Sequence, residues 1–159
     1  MLCEKILGQM EDAAYAGKTV DTVAIHWDEA FKKIHRKVSA AGVEVGIRLD
    51  DHILHRGLRS GDVLYADEAG ILVVDIPPAE AIVFSVVPNH PEMLAKACYE
   101  VGNRHATLFY GESPDTFITP YTAPMMKLLS SLHSLTVEIT QMRFNFDKRL
   151  SESINGHSH

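Results

Sequence analysis

The stretch Val101-Gly102-Asn103-Arg104-His105 decides how the second half of the chain folds. A helical pattern of apolar residues stops at Gly102-Asn103, a pair suited to the left-handed conformation that often ends a helix. A strand pattern of alternating residues then starts at His105. The stretch therefore predicts a helix end followed at once by a strand, with a histidine at the junction.

The elements around this stretch predict a β-α-β-β-α-β order. They are, in chain order, strand 81–87, a helix that starts within 89–92, strands 105–110 and 116–120, a helix through 122–132 and strand 135–144. In the ferredoxin-like arrangement of this order, two helices cover one face of a four-stranded antiparallel sheet. Alternation along 105–110 directs Ala106, Leu108 and Tyr110 toward the helices, so His105 is expected on the uncovered face or its rim. Because that face also carries Phe109, it is a candidate dimer surface. A two-fold axis there would bring the His105 residues of two chains together.

The first half of the chain has the pattern of a small β-sandwich or barrel. Apolar and polar residues alternate over 34–40 and 43–49, and further short apolar runs are separated by turn residues. A strand over 20–27 precedes them, and Asp28 is expected to cap a helix of one turn at most. These patterns predict an all-β domain.

The fold class predicted for the whole chain is α+β. Pro77-Pro78 lacks two backbone donors and favours an extended connector, so we expect the domain boundary there. A small all-β domain over 1–76 would be followed by the ferredoxin-like domain over 77–149 and by a flexible tail over 150–159 that carries histidines.

Composition excludes several classes of function. The net charge is -6 and Lys and Arg form no cluster, which counts against nucleic acid or an anionic membrane as partner. No run approaches the roughly 18 apolar residues of a spanning helix, and 1–6 does not have the pattern of a secretion signal. Cys3 and Cys98 are too far apart in sequence for a CxxC site, so a reducing cytoplasm is the expected location.

The sequence has no motif of a familiar hydrolase. HExxH, GxSxG and a P-loop are absent, and no three-ligand set lies near a candidate general base. We therefore predict no catalytic residues and a protein that is not an enzyme.

Two motifs resemble the urease accessory protein E family, the nickel metallochaperones of urease. The first is Ala-Lys-Ala-Cys-Tyr-Glu-Val-Gly-Asn-Arg-His at 95–105, and the second runs from Gly46-Ile47-Arg48-Leu49 through Arg56-Gly57 to Gly61-Asp62-Val63-Leu64. Both occur in the order and spacing of the family, and the resemblance covers about residues 20–145. Phe-Tyr-Gly-Glu-Ser at 109–113, followed by Thr119-Pro120, is similar to the Helicobacter-like branch.

The resemblance implies a cytoplasmic homodimer that carries Ni(II) as cargo. His105 of both protomers would hold one ion between them, and the C-terminal His157 and His159 would add ligands. The metal would pass to the urease accessory GTPase and so to the urease assembly complex. Because only two histidines stand in the tail, hand-over is a better expectation than nickel storage. Partner or peptide binding is a possible role of the N-terminal domain, and the sequence leaves it open.

The residues alone leave alternatives open. Without the family, a histidine at the start of a strand is more often a surface or capping residue than a ligand. His52 and His55 could bind a metal weakly, although exposed loop residues are the better interpretation. Imidazole also suits Zn(II) and Cu(II), and Cu(II) stands above Ni(II) in the Irving-Williams order, so affinity alone would not select nickel. A general divalent-metal protein or a metal-dependent regulatory module therefore remains possible, with binding expected to weaken below about pH 6.5 in either case.

Overall fold

The computed structural model describes residues 1–88 and 90–151. The chain divides into two compact units, Met1–Pro77 and Pro78–His159. Among the described residues, no helix is long and apolar enough to cross a membrane.

The first unit consists of two β-sheets and little helix. Its strands are β1 Leu2–Cys3, β2 Gly8–Gln9, β3 Thr19–Ala24, β4 Ile34–Val38, β5 Glu44–Arg48, β6 Asp62–Ala66 and β7 Gly70–Asp75. Its helices are α1 Ile53–Arg56 and the 3-10 turns Ala13–Tyr15 and Trp27–Glu29. One sheet has the order β1-β5-β4 and the other β2-β6-β7-β3. This confirms the N-terminal β domain, and the single turn expected at Asp28 is a 3-10 turn that starts one residue earlier, after His26.

The pairing of β4 with β5 decides which set of alternating residues is buried. Val45 and Ile47 of β5 are buried, and their antiparallel partners on β4 are Lys37 and His35. Residues directly opposite each other point to the same face, so His35 lies inside while Ile34 on the same strand is 70% exposed. The inward position of His35 therefore follows from the register of β4 against β5. The composition of β4 alone would favour Ile34 and Val38 as the buried residues, and both are exposed.

A buried carboxylate organises the loop from α1 to β6. The Asp62 side chain is fully buried, and it accepts hydrogen bonds from Arg56 Nη1 and Nη2, each at 2.6 Å, and from the Arg59 backbone N–H at 2.8 Å. Gly57 has φ +71°, and a Cβ there would lie 2.7 Å from the Phe31 ring. The Arg-Gly and Gly-Asp pairs of the second motif thus have a structural role in this unit.

The second unit has the β-α-β-β-α-β order. It comprises β8 Ala79–Val86, α2 Pro91–Gly102, β9 Phe109–Tyr110, β10 Thr116–Pro120, α3 Ala123–Ser131, β11 Leu135–Met142 and the 3-10 turn Phe146–Lys148. The sheet has the order β11-β8-β10-β9 with antiparallel neighbours, which confirms the ferredoxin-like arrangement. Buried residues of the sheet and of the two helices pack into one core: Ile82, Phe84, Ala97, Val101, Leu108, Phe117, Met125 and Leu129.

Two boundaries near β9 differ from the sequence prediction. β9 begins at Phe109 and not at His105, and the last strand ends at Met142 and not at Phe144. Phe144 leaves the strand and stacks on Phe109, with ring centroids 4.9 Å apart and planes 13° apart. Phe109 is 1% exposed as a result of its packing, so the expectation that it forms part of an open dimer surface is wrong.

Candidate metal-binding site

His105 closes the last turn of α2 with a left-handed backbone. Its φ is +54°, whereas Asn103 keeps a right-handed conformation with φ −63° and ψ −18°. The His105 N–H donates to the Gly102 carbonyl at 2.9 Å, and the next N–H donates to the Val101 carbonyl at 3.3 Å. The left-handed residue is therefore His105, and the prediction that Gly102-Asn103 supplies it is wrong. His105 lies in a helix-ending turn and not on a strand.

The His105 side chain is exposed, and a neighbouring ion pair sets the local charge. Arg104 Nη1 donates to Glu100 Oε2 at 2.6 Å and to the Glu100 carbonyl at 2.9 Å. The guanidinium thus caps the Glu100 carbonyl at the end of the helix. Because its charge is paired with Glu100, it repels a cation at His105 less than a free arginine would.

Three uncharged residues of α2 form an open strip that leads to His105. The buried face of the helix carries Met93, Ala97 and Val101, whereas Ala95, Tyr99 and Gly102 are exposed at i, i+4 and i+7. Tyr99 is 67% exposed, and a Cβ built at Gly102 would meet no atom within 4 Å. We call Ala95, Tyr99 and Gly102 the outer stripe of α2. It leaves space for another chain to approach His105 closely.

The apolar periodicity of α2 reports its buried face and so does not reveal the outer stripe. A large aromatic residue between two small ones, at the spacing of one helix face, was the available signal. Hydrophobic side chains that recur on the solvent side of a helix indicate a contact that the isolated chain does not satisfy.

Cys98 is a packing residue next to the site. It lies half-buried against the core of the second unit, and burial raises the pKa of its thiol. A cysteine binds metal as the thiolate, so Cys98 is a poor donor and contributes to this unit as a small hydrophobic packing residue.

The other predicted ligands are not brought to His105 within the described residues. His157 and His159 lie outside the described residues. His52 precedes α1 and His55 lies on it, in the first unit, with exposed side chains. Over residues 1–88 and 90–151, no three His, Cys, Asp or Glu side chains are grouped to hold a metal ion. Within that described part of the chain, His105 therefore belongs to no group of three potential ligands.

Comparison with known proteins gives consistent matches over both units. The family model for the UreE urease accessory protein, N-terminal domain, matches residues 3–76, and that for the C-terminal domain matches 81–159. The urease accessory protein UreE of Helicobacter bizzozeronii is 33% identical over 153 residues, which cover 96% of this chain and 84% of the relative. The proteins of the same name from Helicobacter pylori (strain Shi470) and Helicobacter acinonychis (strain Sheeba) are each 39% identical over 132 residues, covering 83% of this chain and 76% of each relative.

Proposed function

The chain belongs to the UreE family of urease accessory proteins, and we propose that it binds Ni(II) at His105 and delivers it for assembly of the urease active site. The membership confirms the resemblance read from the two motifs, including its Helicobacter-like branch. It also agrees with the prediction that the protein is an accessory protein and not an enzyme.

The observation that carries the proposal is the conformation of His105. An exposed imidazole stands on a left-handed residue at a helix end. This conformation costs roughly 1–2 kcal/mol for an L-residue with a side chain, and glycine would avoid the cost. A histidine kept at such a position, inside the family motif, is best explained by the use of its side chain.

A single imidazole cannot retain a nickel ion, so the proposal requires a second copy of the chain. A two-fold axis beside the outer stripe of α2 would place two His105 rings at one ion. Their neutral nitrogens suit Ni(II) and fill two positions of its coordination shell. Water and the tail histidines His157 and His159 would supply the remaining ligands.

Incomplete coordination fits a carrier better than a closed site would. Donors on a tail raise affinity through their effective concentration, and they also dissociate one at a time. A partner can therefore replace them stepwise. We propose the urease accessory GTPase, within the urease assembly complex, as that partner. We place the protein in the cytoplasm, where the free thiols of Cys3 and Cys98 are kept reduced.

A general divalent-metal carrier is the second candidate. Two imidazoles and water also suit Zn(II) and Cu(II), and Cu(II) binds such donors more strongly than Ni(II) does. On this chemistry nickel selectivity would come from the partner that accepts the ion and not from His105.

Nickel titration of the full chain tests the proposal. We expect the wild type to bind one tight Ni(II) per two chains, and His105→Ala to lose at least tenfold in affinity together with that stoichiometry. The double variant His157→Ala/His159→Ala should keep the stoichiometry and bind severalfold more weakly. His52→Ala/His55→Ala is the matched control, with two histidines removed elsewhere and binding unchanged. Unaltered stoichiometry and affinity in His105→Ala would exclude the site.

A pull-down distinguishes a carrier from a general metal protein. Capture of the accessory GTPase by the wild type should depend on Ni(II), and it should be lost with His105→Ala. Equal capture with Zn(II), followed by release of either metal to the GTPase, would favour the second candidate.

A further inference from the structure

Two histidines meet at the opposite end of α2 from His105. His90 is the residue just before the helix, and His133 lies in the turn after α3. Their ring centroids are 6.5 Å apart, and the ring planes are nearly perpendicular at 87°. His90 lies five residues before the 95–105 motif and His133 lies well after it, and nothing in the proposed hand-over uses the pair.

Backbone pairing brings the two rings together. β8 and β11 are antiparallel neighbours up to the Val86–Leu135 pair, and one residue further the Val87 N–H donates to the Ser134 carbonyl at 2.9 Å. Ser134 has φ +63°, which turns the chain between α3 and β11. His133 precedes this turn and His90 follows the end of β8, so the sheet itself holds their backbones close.

A carboxylate orients one of the rings. Glu92 Oε1 lies 3.2 Å from His90 Nδ1, within hydrogen-bonding distance. A carboxylate on Nδ1 favours the tautomer in which Nδ1 carries the proton and Nε2 keeps its lone pair. Metal-binding histidines have this carboxylate partner in many proteins, because it fixes the ring and makes the free nitrogen more basic.

We propose that His90 and His133 form a second metal-binding site, for a divalent ion of the group that prefers imidazole, such as Ni(II) or Zn(II), with Glu92 as the orienting partner. Metal–nitrogen distances of about 2.1 Å place two ring centres that share an ion roughly 4.5–6.5 Å apart. The observed separation is at the wide end of that range. Small rotations of two exposed side chains bring both nitrogens to one ion.

The site differs in kind from His105. It is complete within one chain, so it should fill with one ion per chain and without dimerisation. Glu92 orients the His90 ring and does not contact the ion, so water completes the coordination shell of the metal. This agrees with the absence of a group of three donors over 1–88 and 90–151. The proposal does not depend on the role of His105 or on any partner.

Ni(II) binding in a background without the other candidate ligands tests this site. The background is the full chain with His105→Ala, His157→Ala and His159→Ala. We expect it to retain one Ni(II) per chain, and His90→Ala or His133→Ala to weaken that binding at least tenfold each. The double variant His90→Ala/His133→Ala should bind Ni(II) only slightly more weakly than either single variant, because the loss of one ring already destroys the shared site. Glu92→Ala should weaken it severalfold.

A matched control and a direct readout complete the test. His26 stands 3.7 Å from Asp28 with the same i, i+2 spacing, so His26→Ala should leave this binding unchanged. Since the His90 side chain makes no capping hydrogen bond to α2, its removal should not unfold the helix, and circular dichroism checks this. Ni(II) should broaden the ring NMR signals of His90 and His133 at the same concentration. Unchanged affinity in either single variant, additive small losses, or broadening of one ring alone would overturn the proposal.

Discussion

His105 combines a favourable position for a ligand with an unfavourable backbone conformation. Its N–H and that of the next residue satisfy carbonyls at the end of α2, so any residue placed there must be left-handed for the helix to end in this way. Glycine meets that requirement without a Cβ, and histidine does so at a cost. Replacement by glycine should therefore raise the stability of the chain while it removes the metal ligand.

His105→Gly tests that opposition. We predict that it raises the free energy of unfolding by about 1 kcal/mol, because glycine adopts the left-handed conformation freely. His105→Ala should be equal to or less stable than the wild type, while both variants lose tight Ni(II) binding. Chemical denaturation and nickel titration measure the two effects. A His105→Gly protein less stable than His105→Ala would contradict the argument from backbone strain.

His35 should make the first unit sensitive to acid. Its ring is buried, and Nε2 donates to the Lys32 carbonyl at 3.0 Å. Burial lowers the pKa of His35, with smaller contributions from Lys37 and Lys32. The unfolded chain takes up a proton near pH 6.5 while the folded chain resists it, so the stability is complete above pH 6.5 and falls as the pH drops toward the lowered pKa.

The measurement for His35 is hydrogen exchange of the β4 and β5 amides between pH 7.5 and 5.5, corrected for the intrinsic rate. Protection should decrease across this range in the wild type and much less in His35→Gln, which keeps a donor for the Lys32 carbonyl. His26→Gln, with its exposed ring, should behave as the wild type does. A decrease of the same size in His35→Gln would show that other groups cause it.

At the scale of elements, the loop from α1 to β6 depends on one carboxylate. Asp62 is fully buried, and it pairs with Arg56 and accepts the Arg59 N–H. We predict that Asp62→Asn lowers the free energy of unfolding by about 2–3 kcal/mol, because it removes the charge that Arg56 faces and one acceptor. Asp51→Asn, at an exposed pair with Lys33, should change stability little. Urea denaturation followed at the first unit measures both, and equal effects would refute the role of burial.

The order of elements was predictable, and their ends were less so. Helical periodicity predicted α2 and α3, and alternation predicted β4 and β5, because periodicity reports a buried face directly. The left-handed residue after α2 was misplaced, because glycine and asparagine are the usual occupants and local propensity favours them. The burial of Phe109 could not be predicted either, since it depends on Phe144, which is distant in sequence and leaves its own strand to stack there.

The sequence was sufficient to predict His105 as the candidate ligand, but not the surface that surrounds it. The family motif indicated His105, whereas the open outer stripe of α2 follows from which side of the helix the sheet covers. His90 and His133 are 43 positions apart in the sequence, and only the pairing of β8 with β11 places them together. Contacts made through a sheet register leave no local pattern that single-sequence reasoning can detect.

At the scale of the whole molecule, the proposed nickel site requires two chains, and the outer stripe of α2 predicts where they meet. Tyr99→Ala should weaken Ni(II)-dependent dimerisation at least tenfold, because it removes the largest exposed apolar side chain beside His105. Gly102→Leu should have a similar effect, since a Leu side chain has room in one chain but would occupy the space that a second chain needs. Tyr110→Ala is the matched control, as Tyr110 is also half exposed in this unit but lies on β9. Sedimentation with and without Ni(II) measures the dimer, and dimerisation of wild-type strength in both Tyr99→Ala and Gly102→Leu would place the two-fold axis elsewhere.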